Sequence, residues 1–431
     1  MTLQALRGTV DLFGEELTRW ERLEGQARQL ARRYGYQELR TPIMEEAALF
    51  LRAIGETTDI VQKEMFLFED RGGKSLVLRP EGTSAIVRAY LEHHLHKTIG
   101  FAKLFYAGPM FRAERPQAGR LRQFHQLGAE AIGSNSPWVD AELIAFCMEL
   151  IAAAGVERCV LWISSMGCRG DQQRSAATLR DALQPHRATL CETCQARIEK
   201  NVFRVLDCKR PADRELGWSL VGRPVFRLCP GCQEHFDVVR QALTRLGIAF
   251  DDTQVFARGL DYYTRTVFEV RAEGLGAQDA VAAGGRYDHL VEELGGPPTG
   301  AMGFAAGIER LLMASKSAMA ASGSSEPARA GIYLAVASAG AMGTAFGLVQ
   351  ALRRQGLATV MDYDGKSLKA QLREADKLSM RWVAIVGDEE LRTKRVTLKD
   401  LQRGAQEMVG LEEFPNAMAT LSGKGGACHA R

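Results

Sequence analysis

No run of about eighteen apolar residues occurs in the 431-residue chain, which excludes an apolar membrane-spanning helix. The first twenty residues also lack an apolar stretch followed by a small-residue cleavage site, and they carry Asp11, Glu15 and Glu16, so no export signal is expected. Charge of one sign is scarce: 55 basic against 52 acidic residues leave +3, too little for a global field that would announce a nucleic acid. What excess exists lies in residues 331–431, with 14 Lys and Arg against 11 Asp and Glu, and ordinary surface charge explains it equally well. Five of the nine cysteines, Cys147, Cys159, Cys168, Cys208 and Cys428, have no close partner in sequence, unlike a secreted disulfide framework; a reducing, cytoplasmic setting is expected. Phosphate-gripping loops of the Walker or dinucleotide type are missing too, since Gly284-Gly285 and Gly295-Gly296 lack the required context. A bound nucleotide would have to be held by arginines on an antiparallel sheet.

What is present is the composition of a globular protein, 46% hydrophobic and 25% charged, long enough for two or three domains. Leu17, Trp20, Leu23, Ala27, Leu30 and Ala31 recur at helical spacing, so an amphipathic helix over 15–33 opens the fold. A short strand at 37–40 should end at Thr41-Pro42, where proline cannot donate to a ladder, and helix resumes over 45–52. Residues 101–111 and 123–132 read as a long antiparallel hairpin, and 138–154 and 237–246 as helices. Between them, about 169–233 is a Cys- and Arg-rich insertion that breaks the pattern. Strands are expected at Val255 and over 266–270, followed by a helix over 307–320. The small, polar, proline-ended stretch within 321–330 reads as a linker. Beyond it 331–414 alternates strands and helices in a βαβαβ rhythm, implying a small parallel or mixed sheet, and 415–431 reads as a disordered tail.

The hairpin loop from Arg112 to Arg122 holds four arginines in eleven residues. Such a cluster repels itself unless anions are bound, and guanidinium forks match phosphate oxygens. A triphosphate is a natural counterpart; a solvated loop tip is the plain alternative.

Arg112 to Glu130 resembles motif 2 of class II aminoacyl-tRNA synthetases, Gly303 to Arg310 resembles motif 3, and Tyr36 to Glu45 with Pro42 resembles motif 1. Arg258-Gly259-Leu260-Asp261-Tyr262-Tyr263, Thr266 to Glu269 and Ala283 to Asp288 resemble the signature peptides of the histidyl-tRNA synthetase family, as does Leu78 to Thr83. Asp364 to Lys369 and Ala375 to Lys377 are similar to its anticodon-binding domain. The resemblance implies an α+β catalytic domain over 1–320, built on a six-stranded antiparallel sheet flanked by helices, and a C-terminal α/β anticodon-binding domain. It implies a homodimer formed through motif 1, with ATP, L-histidine and tRNA(His) as partners. It implies roles as well: Arg112 on the α-phosphate with Arg258 opposite, Glu114 at the adenine, and Arg120 and Arg310 on the outer phosphates with Mg2+. Glu81 and Thr83 would take the α-amino group of histidine, Gln126 its backbone end, and Glu130 with Tyr263 the imidazole, Tyr262 lining the same wall.

The residue chemistry agrees. An imidazole has two nitrogens, which a carboxylate and a phenol can satisfy together, and such fixed polar groups reject ligands that cannot pair with them. On a strand, period two places Phe124, Gln126 and Glu130 on one face and turns His125 away. Singly, Glu81 and Glu130 could be surface carboxylates, Tyr262 and Tyr263 a sheet pair, and Arg310 an ion-pair partner.

Cys191, Cys194, Cys229 and Cys232 form C-x2-C-x34-C-x2-C, the pairing of a zinc ribbon with a longer spacer. One reading is a closed structural zinc site away from catalysis; the other is two pairs of helix-end cysteines. At the level of function the alternative is the synthetase-like regulatory subunit of ATP phosphoribosyltransferase, which binds histidine without catalysis.

Overall fold

The structure is a computed structural model describing residues 3–55, 58, 60–117, 119–222, 225–254, 262–276, 279–322 and 329–423. The strand expected at Val255 and the residues Arg258 to Asp261 lie outside the described residues, as does most of the linker. The chain divides into two units, Met1–Gly323 and Ser324–Arg431. No described helix is long and apolar enough to cross a membrane.

The first unit is built on β1 (Gln37–Glu38), β2 (Ala102–Phe111), β3 (Gln123–Ile132), β4 (Cys159–Ser165), β5 (Thr264–Ala272), β6 (Ala280–Arg286) and β7 (Ala301–Gly307). They form one sheet in the order β1-β2-β3-β7-β6-β5-β4. The six strands from β2 to β4 are antiparallel throughout. The seventh, β1, pairs parallel to β2, so among the described residues the sheet is mixed and seven-stranded where six antiparallel strands were expected. The physical reason is short: helix α1 (Gly14–Arg33) is reversed at Gly35, which takes a positive φ of 79° open to glycine. The chain then runs beside β2 for two residues before Pro42 leaves the ladder.

Alternation along the strands splits the sheet into two faces. Phe105, Leu127, Ala129, Ala131, Phe304 and Ala306 point to one core, shared with Trp20 and Leu23 of α1 and with Phe146 and Leu150 of α3 (Pro137–Ala153). Leu104, Tyr106, Met110 and Ile132 point to the other, shared with Ile86 and Tyr90 of α2 (Thr83–Glu92). Between β4 and β5 the chain forms α4 (Arg169–Leu183), α5 (Glu192–Lys200), α6 (Pro211–Val221) and α7 (Pro230–Arg245), of which the first three close over a small core of their own. Helix α8 (Ile308–Ser322) ends the unit.

In the second unit β8 (Ile332–Val336), β9 (Thr359–Met361), β10 (Trp382–Val386), β11 (Arg395–Asp400) and β12 (Ala405–Gly410) form a mixed sheet in the order β9-β8-β10-β11-β12. Helices α9 (Met342–Arg354) and α10 (Leu368–Lys377) connect its parallel strands. The disorder expected from residue 415 is not what the first part of that stretch does: α11 occupies Phe414–Gly423, because Phe414 and Met418, four apart on one helix face, are both fully buried. Residues 424–431 lie outside the described residues.

Candidate active site

A cavity of about 390 Å³ opens on the sheet face covered by α2, and Glu81, Thr83, Arg112, Glu114, Arg120, Gln126, Tyr262, Tyr263 and Arg310 all line it. Its size is within the range for small-molecule sites. Thus β3 and the loop that precedes it, the first turn of α2, the approach to β5 and the first turn of α8 deliver side chains to one place. Arg258 lies outside the described residues.

One part of the lining is cationic. Arg112 donates to Pro80 O at 3.0 Å and its guanidinium lies 5.1 Å from the centre of the Phe124 ring. Arg120 pairs with Glu114 at 2.9 Å. Arg310 donates to Gly119 O at 3.0 Å and to Ala280 O at 2.5 Å, which pins the hairpin loop and the start of β6 to α8. Burial, and after it the charge of Arg120, lowers the basicity of the Arg310 guanidinium. Three guanidinium groups sharing one cavity favour a polyanionic ligand.

The other part is built from carboxyls and hydroxyls. Glu81 caps α2, accepting Thr83 N at 2.6 Å and Ser84 N at 2.9 Å. Glu130 is fully buried and does not line the cavity; it stands behind the wall, accepting the Thr83 hydroxyl at 2.7 Å and the Tyr287 hydroxyl at 2.5 Å. Burial pushes its pKa up to about 8, against the opposing pull of the two hydroxyl donors. The room for it is made by Gly303 opposite: a Cβ there would stand 1.6 Å from Glu130 Oε2. Gln126 Oε1 is buried with no hydrogen-bond partner among the described residues, and an amide oxygen left so on a cavity wall invites a ligand donor. Tyr262 packs on Tyr263 and Tyr287, with ring centroids 4.9 and 5.8 Å apart.

Phe124 and Gln126 share the cavity face, whereas the His125 ring is turned to the opposite core, 4.9 Å from the Trp20 ring, and the His125 backbone N–H donates to Glu309 at 2.9 Å. Sequence reasoning assigned no role to Tyr287, although a signal existed. Gly285 pairs with Gly303 across β6 and β7, so a side chain two residues past Gly285 is directed to the same face. Its neighbour Arg286 is structural, fully buried and held by Asp140 at 2.6 Å and Asp288 at 2.9 Å.

The four paired cysteines do not form one site. Cys229 and Cys232 meet Cys168 and Asp171, while Cys191 and Cys194 meet Cys208 and Asp213. The single four-cysteine arrangement is therefore corrected: each pair starts a different helix, and each helix start faces that of another helix rather than the second pair.

Comparison with known proteins gives consistent findings. The family model for histidyl-tRNA synthetase matches residues 8–207 and 227–311, and that for an anticodon-binding domain matches 332–421. A histidine–tRNA ligase of Desulforamulus reducens is 46% identical over 95% of this chain and 97% of its own length. One from Anoxybacillus flavithermus is 45% identical over 97% of this chain and 99% of its own. The crystal structure of apo histidyl-tRNA synthetase from S. aureus superposes with a TM-score of 0.80 at 31% identity, covering 97% of this chain and all of that one. A Bacillus halodurans structure described as an ATP phosphoribosyltransferase regulatory subunit/histidyl-tRNA synthetase shares the fold, with a TM-score of 0.63 at 21% identity over 90% of this chain and 98% of that one. By the match of its catalytic and anticodon-binding parts alike, the chain belongs to the histidyl-tRNA synthetase family.

Proposed function

We propose that the cavity holds histidine among Glu81, Thr83, Gln126, Tyr262 and Tyr263 and ATP along Arg112, Glu114, Arg120 and Arg310, so that the two react where these groups of residues meet. The activity itself is that of the family: ATP-dependent activation of L-histidine and its transfer to the 3′ end of tRNA(His). The observation that carries the site assignment is that one cavity gathers the guanidinium groups of Arg112, Arg120 and Arg310 together with the carboxyl of Glu81 and the phenols of Tyr262 and Tyr263.

In this reading the α-amino group lies against Glu81 and Thr83 and the imidazole against Tyr263, with Glu130 reached through the wall that Thr83 and Tyr287 form in front of it. Glu130 already accepts two hydroxyls, yet a carboxyl has lone-pair capacity for more. With its pKa near 8, it can hold a proton around neutrality and offer either a donor or an acceptor to an imidazole nitrogen. A histidine carboxylate oxygen attacks the α-phosphorus, the bond to the outer phosphates breaks, and pyrophosphate leaves. Such a displacement needs positioning and charge neutralisation more than a protein base. Arg112 and Arg258 would bracket the reacting phosphate, Arg120 and Arg310 the leaving group, and Glu114 the adenine. Mg2+ prefers phosphate oxygens supplemented by one or two carboxylates, and Glu269, which lines the cavity, fits that donor set. In the second step the terminal ribose hydroxyl attacks the aminoacyl carbonyl, AMP leaves, and the hydroxyl proton passes to the phosphate oxygen of the adenylate.

The second unit would read the anticodon. A homodimer through the motif 1 segment is supported by Ile43, Met44, Leu67 and Phe68, apolar side chains exposed on that segment and on Phe66–Glu69, which shares a three-stranded sheet with Met44–Glu46 and Ser75–Leu78, and a cytoplasmic setting suits the unpaired thiols. ATP–pyrophosphate exchange with each of the twenty amino acids tests the reading: exchange with histidine alone is expected, and histidine binding without exchange would favour the regulatory-subunit alternative. Sedimentation of the intact chain tests the dimer.

A further inference from the structure

The two Cys/Asp clusters lie outside the cavity, and each brings together two helix starts. In one, Cys168 and Asp171 occupy the N-cap and third positions of α4, and Cys229 and Cys232 the same positions of α7. In the other, Cys191 and Cys194 occupy those positions of α5, and Asp213 is the third residue of α6, with Cys208 just before it. Within each set of four, the donor atoms all lie within 4.8 Å of one another, and Cys191 Sγ is 3.9 Å from Cys208 Sγ. A tetrahedral zinc ion with sulfur at about 2.3 Å needs donor atoms about 3.8 Å apart, so these sets are at metal spacing and not at the roughly 2.05 Å of a disulfide.

The surroundings suit anionic ligands. Cys194, Cys208, Cys232, Asp171 and Asp213 are all buried. Backbone N–H groups point at sulfur, from Arg210 to Cys208 at 3.4 Å and from Cys168 to Cys232 at 3.2 Å, and such outer-shell donors orient metal thiolates. Asp171 accepts Cys168 N at 3.2 Å, Cys229 N at 3.1 Å and the Arg174 guanidinium; Asp213 accepts Cys191 N at 3.0 Å and faces Arg210 at 3.5 Å. Three thiolates and a carboxylate around a divalent ion leave a net charge of −2, which two helix N-termini and one arginine at each cluster offset. Three sulfur ligands in a tetrahedral set select zinc over magnesium or calcium, and four protein ligands leave no open position for catalysis.

We propose that the chain binds two structural zinc ions, one through Cys168, Asp171, Cys229 and Cys232 and one through Cys191, Cys194, Cys208 and Asp213, which fasten α4 to α7 and α5 to α6. Metal analysis of the full chain purified without chelator should give two zinc ions per chain. Cys168→Ser and Cys208→Ser should each leave one, the double variant none, and the control Cys147→Ser two. Because these variants could misfold, the wild-type chain stripped of metal is also titrated with Co2+: two equivalents should bind, with the thiolate charge-transfer and tetrahedral d–d absorption of each. A metal-free wild type that takes up no cobalt overturns the proposal, and so does a Cys191–Cys208 disulfide in non-reducing peptide maps. A single zinc lost in Cys194→Ser and Cys232→Ser but kept in Cys168→Ser and Cys208→Ser would restore the four-cysteine site and equally overturn it.

Discussion

Glu130 is the residue on which the amino-acid half of the cavity turns, and its surroundings make its behaviour measurable. Burial raises its pKa from an ordinary 4.5 to about 8, so the folded chain keeps a proton that the unfolded chain has lost across that interval. Its contribution to stability is therefore complete below about pH 4.5 and lost as pH rises through about 8. The melting-temperature advantage of the wild type over Glu130→Gln should shrink by a few degrees between pH 5 and pH 8.5; a gap constant with pH would mean that this carboxyl titrates normally. The same exchange should weaken histidine binding at least tenfold and ATP binding less than threefold by calorimetry, and equal losses would remove Glu130 from the histidine site. Gly303→Ala drives a methyl into the Glu130 carboxyl, and overpacking of this kind costs about 1–3 kcal/mol. It should raise the KM for histidine at least tenfold, and an unchanged KM would show that the Glu130 position is not needed. At this scale much was legible: strand period two placed Phe124 and Gln126 on the cavity side and His125 on the other. What alternation does not give is depth. That Glu130 stands behind Thr83 and Tyr287 depends on Gly303 and on a helix start far away in sequence.

Among the elements, the β2–β3 loop and the first turn of α8 act as one device, since the Arg310 guanidinium ties Gly119 O to Ala280 O while adding charge to the cavity. Arg310→Ala should slow pyrophosphate exchange at least a hundredfold, about 2.7 kcal/mol of barrier. Arg310→Lys keeps the charge but not the planar fork, so it should remain impaired at least tenfold. Full activity in the lysine variant would mean that charge alone matters. The hairpin itself was readable from composition, because two apolar runs flank a loop of arginine, glycine and proline. The short strand at 37–40 was readable too, as the two-residue β1, but its parallel pairing with β2 was not, because alternation and a closing proline fix a strand's end and not its partner. The β11–β12 pair was missed for another reason: β11 reads Arg395-Val396-Thr397-Leu398-Lys399-Asp400, with few strongly apolar residues to announce a strand, and it is paired on both sides. Helix α11 escaped because its two buried anchors sit among small residues that read as a tail.

For the molecule as a whole, each proposed catalytic group belongs to the first unit, whose boundary falls at Gly323. Deleting everything after Glu326 should leave histidine-dependent pyrophosphate exchange within threefold of the full chain, while tRNA charging falls at least a hundredfold. Gel filtration of both forms has to accompany the assay, because loss of a dimer would depress both steps. Charging at the full-length rate by the truncated chain would rule out a tRNA-binding role for the second unit.

The path between β4 and β5 has a consequence for how much change this enzyme tolerates. Ser165 pairs with Thr266, so those two strands are the arms of a hairpin whose loop is roughly a hundred residues. Closing such a loop instead of a tight turn costs about 3 kcal/mol of chain entropy, and each further doubling costs only about 0.6 kcal/mol more. The neck of the loop is pinched where Cys229 N meets Asp171 and Cys168 N meets Cys232, and Gln172 fastens that neck to Tyr263 O at 2.9 Å, at the entry to β5. Residues 172–228 thus form a ring that begins and ends at one point. Lengthening or shortening the ring shifts neither the register of β4 on β5 nor the tyrosines that follow the neck, so this is where the chain can vary in length without disturbing the pocket.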